Sequence, residues 1–356
     1  MDGSGLALGL DIGGTKVAAA LLDGAGTVLA RARGPVDPAG NRPGLESVFR
    51  VADACLEAAP APTPATAPPA ARTALRGIGA GCPGSIDWQA GVVRGAANLA
   101  WRDLPLGAAL RDRYGVPALV ENDVNAAAWG ERSFGAGTAA GTGAGAGGAG
   151  AGGPGGRVDD LVFLTVGTGI GAGIVSGGRL VRGRGTAGEI GHIPLFEHGP
   201  RCACGLVGCL EALAAGPAFA RAGRDLAAAG EAPGLLARAG GSAEAITPDL
   251  ILRAAAGGDP SAQALLDREG YYLALAVLIA GRLLDPARIV VGGGLSEGGA
   301  VLFEALWRNL ARLRPRGPDP RAFAVPPALG PDAGAIGGAA LILVPEPGHR
   351  AAGLSP

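Results

Sequence analysis

Between Gly188 and Glu211 the chain reads GEIGHIPLFEHGPRCACGLVGCLE, and this stretch holds three of its five cysteines and two of its three histidines. His192, Cys202, Cys204 and Cys209 fall in an H-x9-C-x-C-x4-C array. One imidazole and three thiolates are the donor set of a closed tetrahedral zinc site. Gly205 and Gly208 allow the sharp turns that would aim the sulfurs at one point. The spacing differs from the C-x2-C knuckle of fingers and ribbons, and the carboxylates Glu189 and Glu211 flank the array. A role beyond stapling a loop is therefore expected. The plainer alternative is ordinary thiols in a glycine-rich loop. A secreted disulfide framework fits poorly, because Cys55 and Cys82 are isolated and no signal-peptide pattern precedes them. His198 is expected at the surface.

A second group of residues suits a nucleotide. Asp11-Ile12-Gly13-Gly14-Thr15-Lys16 sets an acid, two residues without Cβ, a hydroxyl and a cation side by side. The glycines let backbone N–H groups approach phosphate oxygens. Thr15 can donate a hydrogen bond, Lys16 can balance charge, and Asp11 can hold Mg²⁺ directly or through water. The pattern is not a Walker loop, and a tight hairpin alone would also use two glycines. Gly167-Thr168-Gly169 offers a second phosphate clamp, and Gly292-Gly293-Gly294 a flat approach for an adenosine, with Gly293 and Gly294 as the binding candidates. Glu121-Asn122-Asp123 supplies the reactive group, with Asp123 as candidate base for an attacking hydroxyl. Asn122 or Asp123 could instead be no more than a helix N-cap.

These residues need elements to position them. Leu6–Leu10, Val17–Leu22 and Thr27–Arg33 read as strands, and 44–58 as a helix. Leu161–Val166 and Ala172–Ser176 repeat the strand–glycine turn–strand logic. Ala118–Val120 is a short strand running into a helix over 124–132, which places Asp123 at a strand's carboxyl end. Further helices are expected over 210–229, 261–284, 300–313 and 333–343, with a strand at 288–291. The stretch 59–71 reads as an Ala/Pro/Thr spacer. The tract 135–156 contains only Gly, Ala, Thr and Pro and is expected to be a mobile loop, because it has no large side chain to bury. Two halves of this kind predict a duplicated actin-like, ribonuclease-H-like α/β fold with two lobes and a cleft between them. Residues 1–120 would form a small lobe, completed by the helix at 333–345. Residues 121–332 would form a large lobe, carrying the metal loop 188–211 and a glycine/alanine insertion over 135–157.

The chain has 356 residues, 48% hydrophobic and 17% charged, with a net charge of −1. That balance gives no general attraction to nucleic acid or anionic membrane. The apolar run 271–280 is too short to span a bilayer and reads as a buried helix. A soluble, cytoplasmic protein is expected. Lys16 is the only lysine and there are five asparagines, three of which (Asn98, Asn122 and Asn125) lie in the segments that carry chemistry.

DIGGTK at 11–16, NLAW at 98–101, ENDVNAAAWGE at 121–131, GTGIGAGI at 167–174, GEIGH at 188–192 and CACGLVGCLE at 202–211 together resemble the ROK family, and within it the bacterial ATP-dependent glucokinases. The resemblance runs from about Leu6 to Ile342. It implies a two-lobed actin-like ATPase fold with a hexose, glucose first, bound in the cleft, and phosphoryl transfer from ATP with Mg²⁺. It implies Asp123 as the base acting on the 6-hydroxyl, and Asn98, Asn122, Glu189, His192 and Glu211 as sugar contacts. It also implies a structural zinc on His192, Cys202, Cys204 and Cys209, and a homodimer or homotetramer. Kinases of N-acetylmannosamine, N-acetylglucosamine or fructose share these motifs. Sugar-responsive repressors of the same family carry a helix-turn-helix domain ahead of the first glycine turn, where only ten residues precede Asp11 here. The tract after Phe134 departs from the family pattern, as does Ala-Leu-Ala-Ala-Gly after Glu211, where many members have tyrosine or serine.

Overall fold

Strand β1 (Leu6–Ile12) turns through the first glycine pair into β2 (Lys16–Leu22) and returns as β3 (Val28–Pro35). Residues 7–10 of β1 and 17–22 of β2 are buried without interruption, so these strands are covered on both faces. This computed structural model describes residues 5–59, 75–138 and 156–347. Helix α1 (Asn41–Glu57), β4 (Leu75–Cys82), β5 (Ser85–Asp87), β6 (Val92–Ala96), β7 (Trp101–Leu104), α2 (Leu106–Tyr114) and β8 (Ala118–Asn122) follow. The chain continues through α3 (Asp123–Phe134), β9 (Leu161–Val166), β10 (Ile170–Ser176) and β11 (Arg179–Leu180). Five helices come next: α4 (Leu210–Ala214), α5 (Gly216–Ala228), α6 (Pro233–Arg238), α7 (Pro248–Ala256) and α8 (Pro260–Leu284). Then come β12 (Arg288–Gly292), α9 (Ala300–Leu313), β13 (Ala324–Val325) and α10 (Ala333–Leu343).

Two five-stranded sheets have the same order, β3-β2-β1-β4-β8 and β11-β10-β9-β12-β13. In each, the first three strands are antiparallel and the last two join in parallel. The repeated order is the duplicated actin-like α/β architecture. A small third sheet, β5-β6-β7, is attached to the first half. Among the parallel strands, the carboxyl ends are Asp11–Ile12, Cys82, Asn122, Val166 and Gly292, so the chemistry-bearing segments gather at one edge of each sheet.

Helices α3 and α10 pack on each other. Helix α10 also lies across β1 and β4, and α3 lies against β9 and β10. A Cβ at Gly9, Gly79 or Gly337 would fall on the backbone of Ala335, Gly338 or Ala126 respectively. Glycine is what lets α10 come this close. The helix is apolar all round (AGAIGGAALIL) and buried except at Gly334, as a helix between two layers must be.

Two expectations need correction. The segment 210–229 is not one helix. It breaks at Ala215, whose φ of −67° and ψ of 156° are extended. Pro217 has no N–H, and its ring would collide with the carbonyl of Leu213 in a continuous helix. The Gly216 N–H is freed to donate to the Gly167 carbonyl at 2.8 Å. The glycine/alanine tract is also not loose at its ends. The buried Glu131 carboxylate accepts the Ala136 N–H at 2.8 Å, and Thr138 pairs with Arg157. The rest of that tract, 139–155, and most of the spacer, 60–71, lie outside the described residues. Strand β4, the small sheet, α2, α6 and α7 were not anticipated.

Candidate active site

A cleft of about 770 Å³ opens between the two sheets, lined by Asp11, Lys16, Arg33 and Asp123 on one side and by Thr165, Gly293, Gly294 and Ser296 on the other. Pro326, Pro327, Gly330 and Ala333 close it below. Gly167 and Gly294 are informative because nothing in the chain requires them, and Gly13 is held only by one close backbone oxygen. None has left-handed backbone. An added Cβ would meet only Lys16 O at 3.3 Å from Gly13, only Gly294 N at 3.6 Å from Gly167, and nothing within 4 Å from Gly294. Gly14 has little more constraint, facing the Asn98 Cβ at 3.1 Å. Such glycines leave N–H groups approachable by a molecule outside the chain. Gly293 differs. Its φ is +87°, and a Cβ would crowd the Val166 backbone at 2.6 Å, so the turn itself demands glycine. Thr15 and Thr168 are exposed beside the cleft.

Asp11 ends β1 at the cleft. Burial, and second the charge of Asp123, push its carboxyl up to about 6, against the opposing pull of Lys16 and Arg33. Asp123 opens α3, and burial raises its carboxyl too, with Glu189 a smaller like-charge contribution. Asp123 Oδ1 accepts the Val124 N–H at 3.0 Å. The N-cap is Asn122, whose Oδ1 accepts from Val124 at 3.0 Å and Asn125 at 3.2 Å. The capping alternative thus holds for Asn122, and Asp123 is left one step further in, facing the cleft.

The metal loop forms the neighbouring wall. Asn122 and Glu189 line a side cavity of about 220 Å³. His192 Nε2 stands 3.8 Å from Glu189 Oε2 and Nδ1 stands 3.5 Å from Cys202 Sγ, so the ring has one edge on each group. Ligand atoms of His192, Cys202 and Cys204 lie within 4.8 Å of one another, and Cys209 Sγ is 3.7 Å from Cys204 Sγ. Tetrahedral Zn–S bonds of 2.3 Å imply an S···S edge of about 3.8 Å. His192, Cys202 and Cys204 are thus close enough to share one ion, and Cys209 stands at that S···S distance from Cys204. Gly205 and Gly208 take φ of +96° and +73°, and a Cβ on Gly208 would fall on the Phe196 carbonyl. Glu211 Oε2 accepts the Ile170 N–H at 2.9 Å, tying the loop's end to the second glycine turn. His198 is exposed.

A profile of the ROK family matches residues 7–344. The chain belongs to the ROK family. Among ROK relatives, a glucokinase of Streptomyces coelicolor is 34% identical over 96% of this chain and 99% of its own length. A glucokinase of Halalkalibacterium halodurans is 32% identical over 94% of each. The crystal structure of a ROK family glucokinase from Streptomyces griseus in complex with glucose and AMPPNP superposes with a TM-score of 0.74 at 32% identity. It covers 95% of this chain and 99% of that one.

Within this ROK fold the residues picked from the sequence converge. Asn98 meets Gly14, Asp11 senses Asp123, Asp123 senses Glu189, and Glu189 neighbours His192. Arg33, Ser296, Pro326–Pro327 and Gly334 were missed. Gly334 abuts the Asp11 carboxyl carbon, which would lie 2.5 Å from an added Cβ. Only the Gly293-Gly294 run signalled any part of this wall, since the others belong to no local motif.

Proposed function

We propose that this ROK protein is an ATP-dependent hexose kinase that transfers the γ-phosphoryl group to the 6-hydroxyl of glucose. One observation carries the reading. Asp123 sits at the boundary between the cleft holding Asp11, Lys16 and the unforced glycines and the wall holding Asn122 and Glu189. Phosphoryl transfer asks a protein for positioning, charge neutralisation and a base. In this reading Gly13, Gly14, Thr15, Gly167, Thr168 and Gly169 cradle phosphates by N–H and hydroxyl donation, and Lys16 balances their charge. Gly293 and Gly294 receive the adenosine. Asp11 would hold Mg²⁺, which supplies charge neutralisation on the phosphates; a buried carboxylate suits that hard cation. Asn98, Asn122, Glu189, His192 and Glu211 contact the sugar, and Asp123 takes the proton of its 6-hydroxyl. Several polar groups converging on hydroxyls discriminate strongly, since a missing hydroxyl leaves a buried partner unpaired.

Zinc on His192, Cys202, Cys204 and Cys209 would fix the ring of His192 and the approach of Glu189. A closed Cys₃His set leaves no position for substrate. The reading includes a cytoplasmic location, supported by the supply of ATP there and by five cysteines, none of which is in a disulfide. No described helix is long and apolar enough to cross a membrane. It also includes self-association, supported by Ile193, Phe196 and Leu206, exposed on the metal loop at 37–50%; a monomer by light scattering at assay concentration would remove that part. A coupled assay for sugar 6-phosphate with ATP and Mg²⁺, across glucose, mannose, fructose and the two N-acetylhexosamines, tests the whole. Glucose is expected to have the highest kcat/KM. Preference for an N-acetylhexosamine would reassign the substrate, and no turnover with any sugar would end the kinase reading.

A further inference from the structure

Two residues past β11, Arg182 joins four chain segments and is part of none of the motifs above. Its side chain is only 13% exposed. Nε donates to Glu121 Oε2 at 2.6 Å, Nη1 forms an ion pair with Glu346 Oε2 at 2.8 Å, and the guanidinium lies 4.2 Å from the centroid of the Trp88 ring. Glu121 belongs to β8 in the first sheet, Trp88 to the turn after β5, and Glu346 to the segment after α10.

Glu121 divides its two oxygens. While Oε2 faces Arg182, Oε1 accepts the Asn122 N–H at 2.9 Å and the Asn125 Nδ2 at 3.0 Å. Those are the residues on either side of Asp123. Glu121 is buried, 4% exposed, and removing Arg182 takes away the cation that faces its carboxylate. A buried carboxylate that loses its charged partner is destabilised where it stands, and any shift of it releases the backbone at Asn122 and the first turn of α3.

We propose that Arg182 is a positioning residue that holds the strand–helix junction carrying Asn122 and Asp123. This rests on the reading of Asp123 as base. Arginine is needed because one planar fork serves two carboxylates and an aromatic face at once, whereas an ammonium serves them singly. Displacement of a reacting group by about 1 Å costs about 100-fold in rate, so the loss should fall on kcat.

The test is steady-state kinetics with glucose and ATP on Arg182→Met, Arg182→Lys, Arg182→Ala and Glu121→Gln, each with a thermal melt. Arg182→Met is expected to lose about 10- to 100-fold in kcat with KM for ATP within about twofold of wild type. Arg182→Lys should fall between the two. Millimolar guanidinium should restore part of the activity of Arg182→Ala, which a general loss of stability would not show. If Arg182→Met fails to fold, Glu121→Gln decides. It keeps both acceptor contacts, to Asn122 at the end of β8 and to Asn125 in α3, but opposes an amide to the guanidinium, and a severalfold loss of kcat is expected. A folded Arg182→Met, or failing that a Glu121→Gln, with kcat within twofold of wild type overturns the proposal. So does a rise in KM for glucose at unchanged kcat, which would make Arg182 a direct sugar contact. Asp123→Ala run alongside separates the two readings: if it stays active the base assignment has failed, and if it is dead while Arg182→Met is normal only the positioning role has failed.

Discussion

Gly294 is where the proposed nucleotide site is most directly tested. Neither its φ nor its surroundings call for glycine, so Gly294→Ala should fold as well as wild type yet raise KM for ATP by about tenfold, the added methyl blocking close approach. A fall in melting temperature without a KM change would show that the position is structural. Asp123→Ala should lower kcat by about 10²- to 10⁴-fold while sugar binding by calorimetry survives, because a base acts in the transition state. Asp11 yields a pH dependence. Its carboxyl is pushed up from 3.8 to about 6 when folded, so it binds its proton more tightly in the native state than in the unfolded chain. That contribution is complete below about pH 4 and is lost as pH rises through 6, about 3 kcal/mol in all. Asp11→Asn should therefore gain stability relative to wild type between pH 4 and 7, by denaturant melts. A constant difference would mean that Asp11 is not buried as described. Holding Mg²⁺ needs the ionised form, so kcat/KM for ATP should fall as pH drops below 6.

At the scale of elements, the junction of α10 with the first sheet depends on bare backbone. An added Cβ at Gly79 would overlap the Gly338 carbonyl, whereas at Gly95 in β6 it meets nothing within 4 Å. Gly79→Ala is expected to lose about 1–3 kcal/mol or more, and Gly95→Ala close to nothing. Equal melting temperatures would show that α10 can move away without cost. The break between α4 and α5 also belongs to this scale. Proline ends one helix, and the released Gly216 N–H supports Gly167, so a helix interruption becomes part of the second glycine turn.

At the scale of the whole molecule, the loop 188–211 links the side cavity at Glu189 to the second glycine turn, which in the proposed kinase are the sugar and nucleotide sides. Glu189 stands beside His192 at one end, and Glu211 holds the Ile170 N–H at the other. Stripping zinc with a strong chelator is expected to raise KM for glucose by more than about tenfold while KM for ATP moves less, and re-addition of zinc should reverse it. No change in KM for glucose in metal-free protein would reduce the cluster to a staple. Much of this molecule was already determined by sequence: the strand–glycine turn–strand repeats, the acid at the end of β8, the crowding of His192 with the loop cysteines and the family, all of which rest on short-range spacing. The rest depended on contacts between residues far apart in the chain. Arg33, Ser296 and the Pro326–Gly334 wall enter the cleft only because two sheets of like order face each other across α3 and α10. The same is true of Arg182, which meets Glu121 across 61 positions. Such pairs leave no periodicity or motif, because tertiary packing alone brings them within reach.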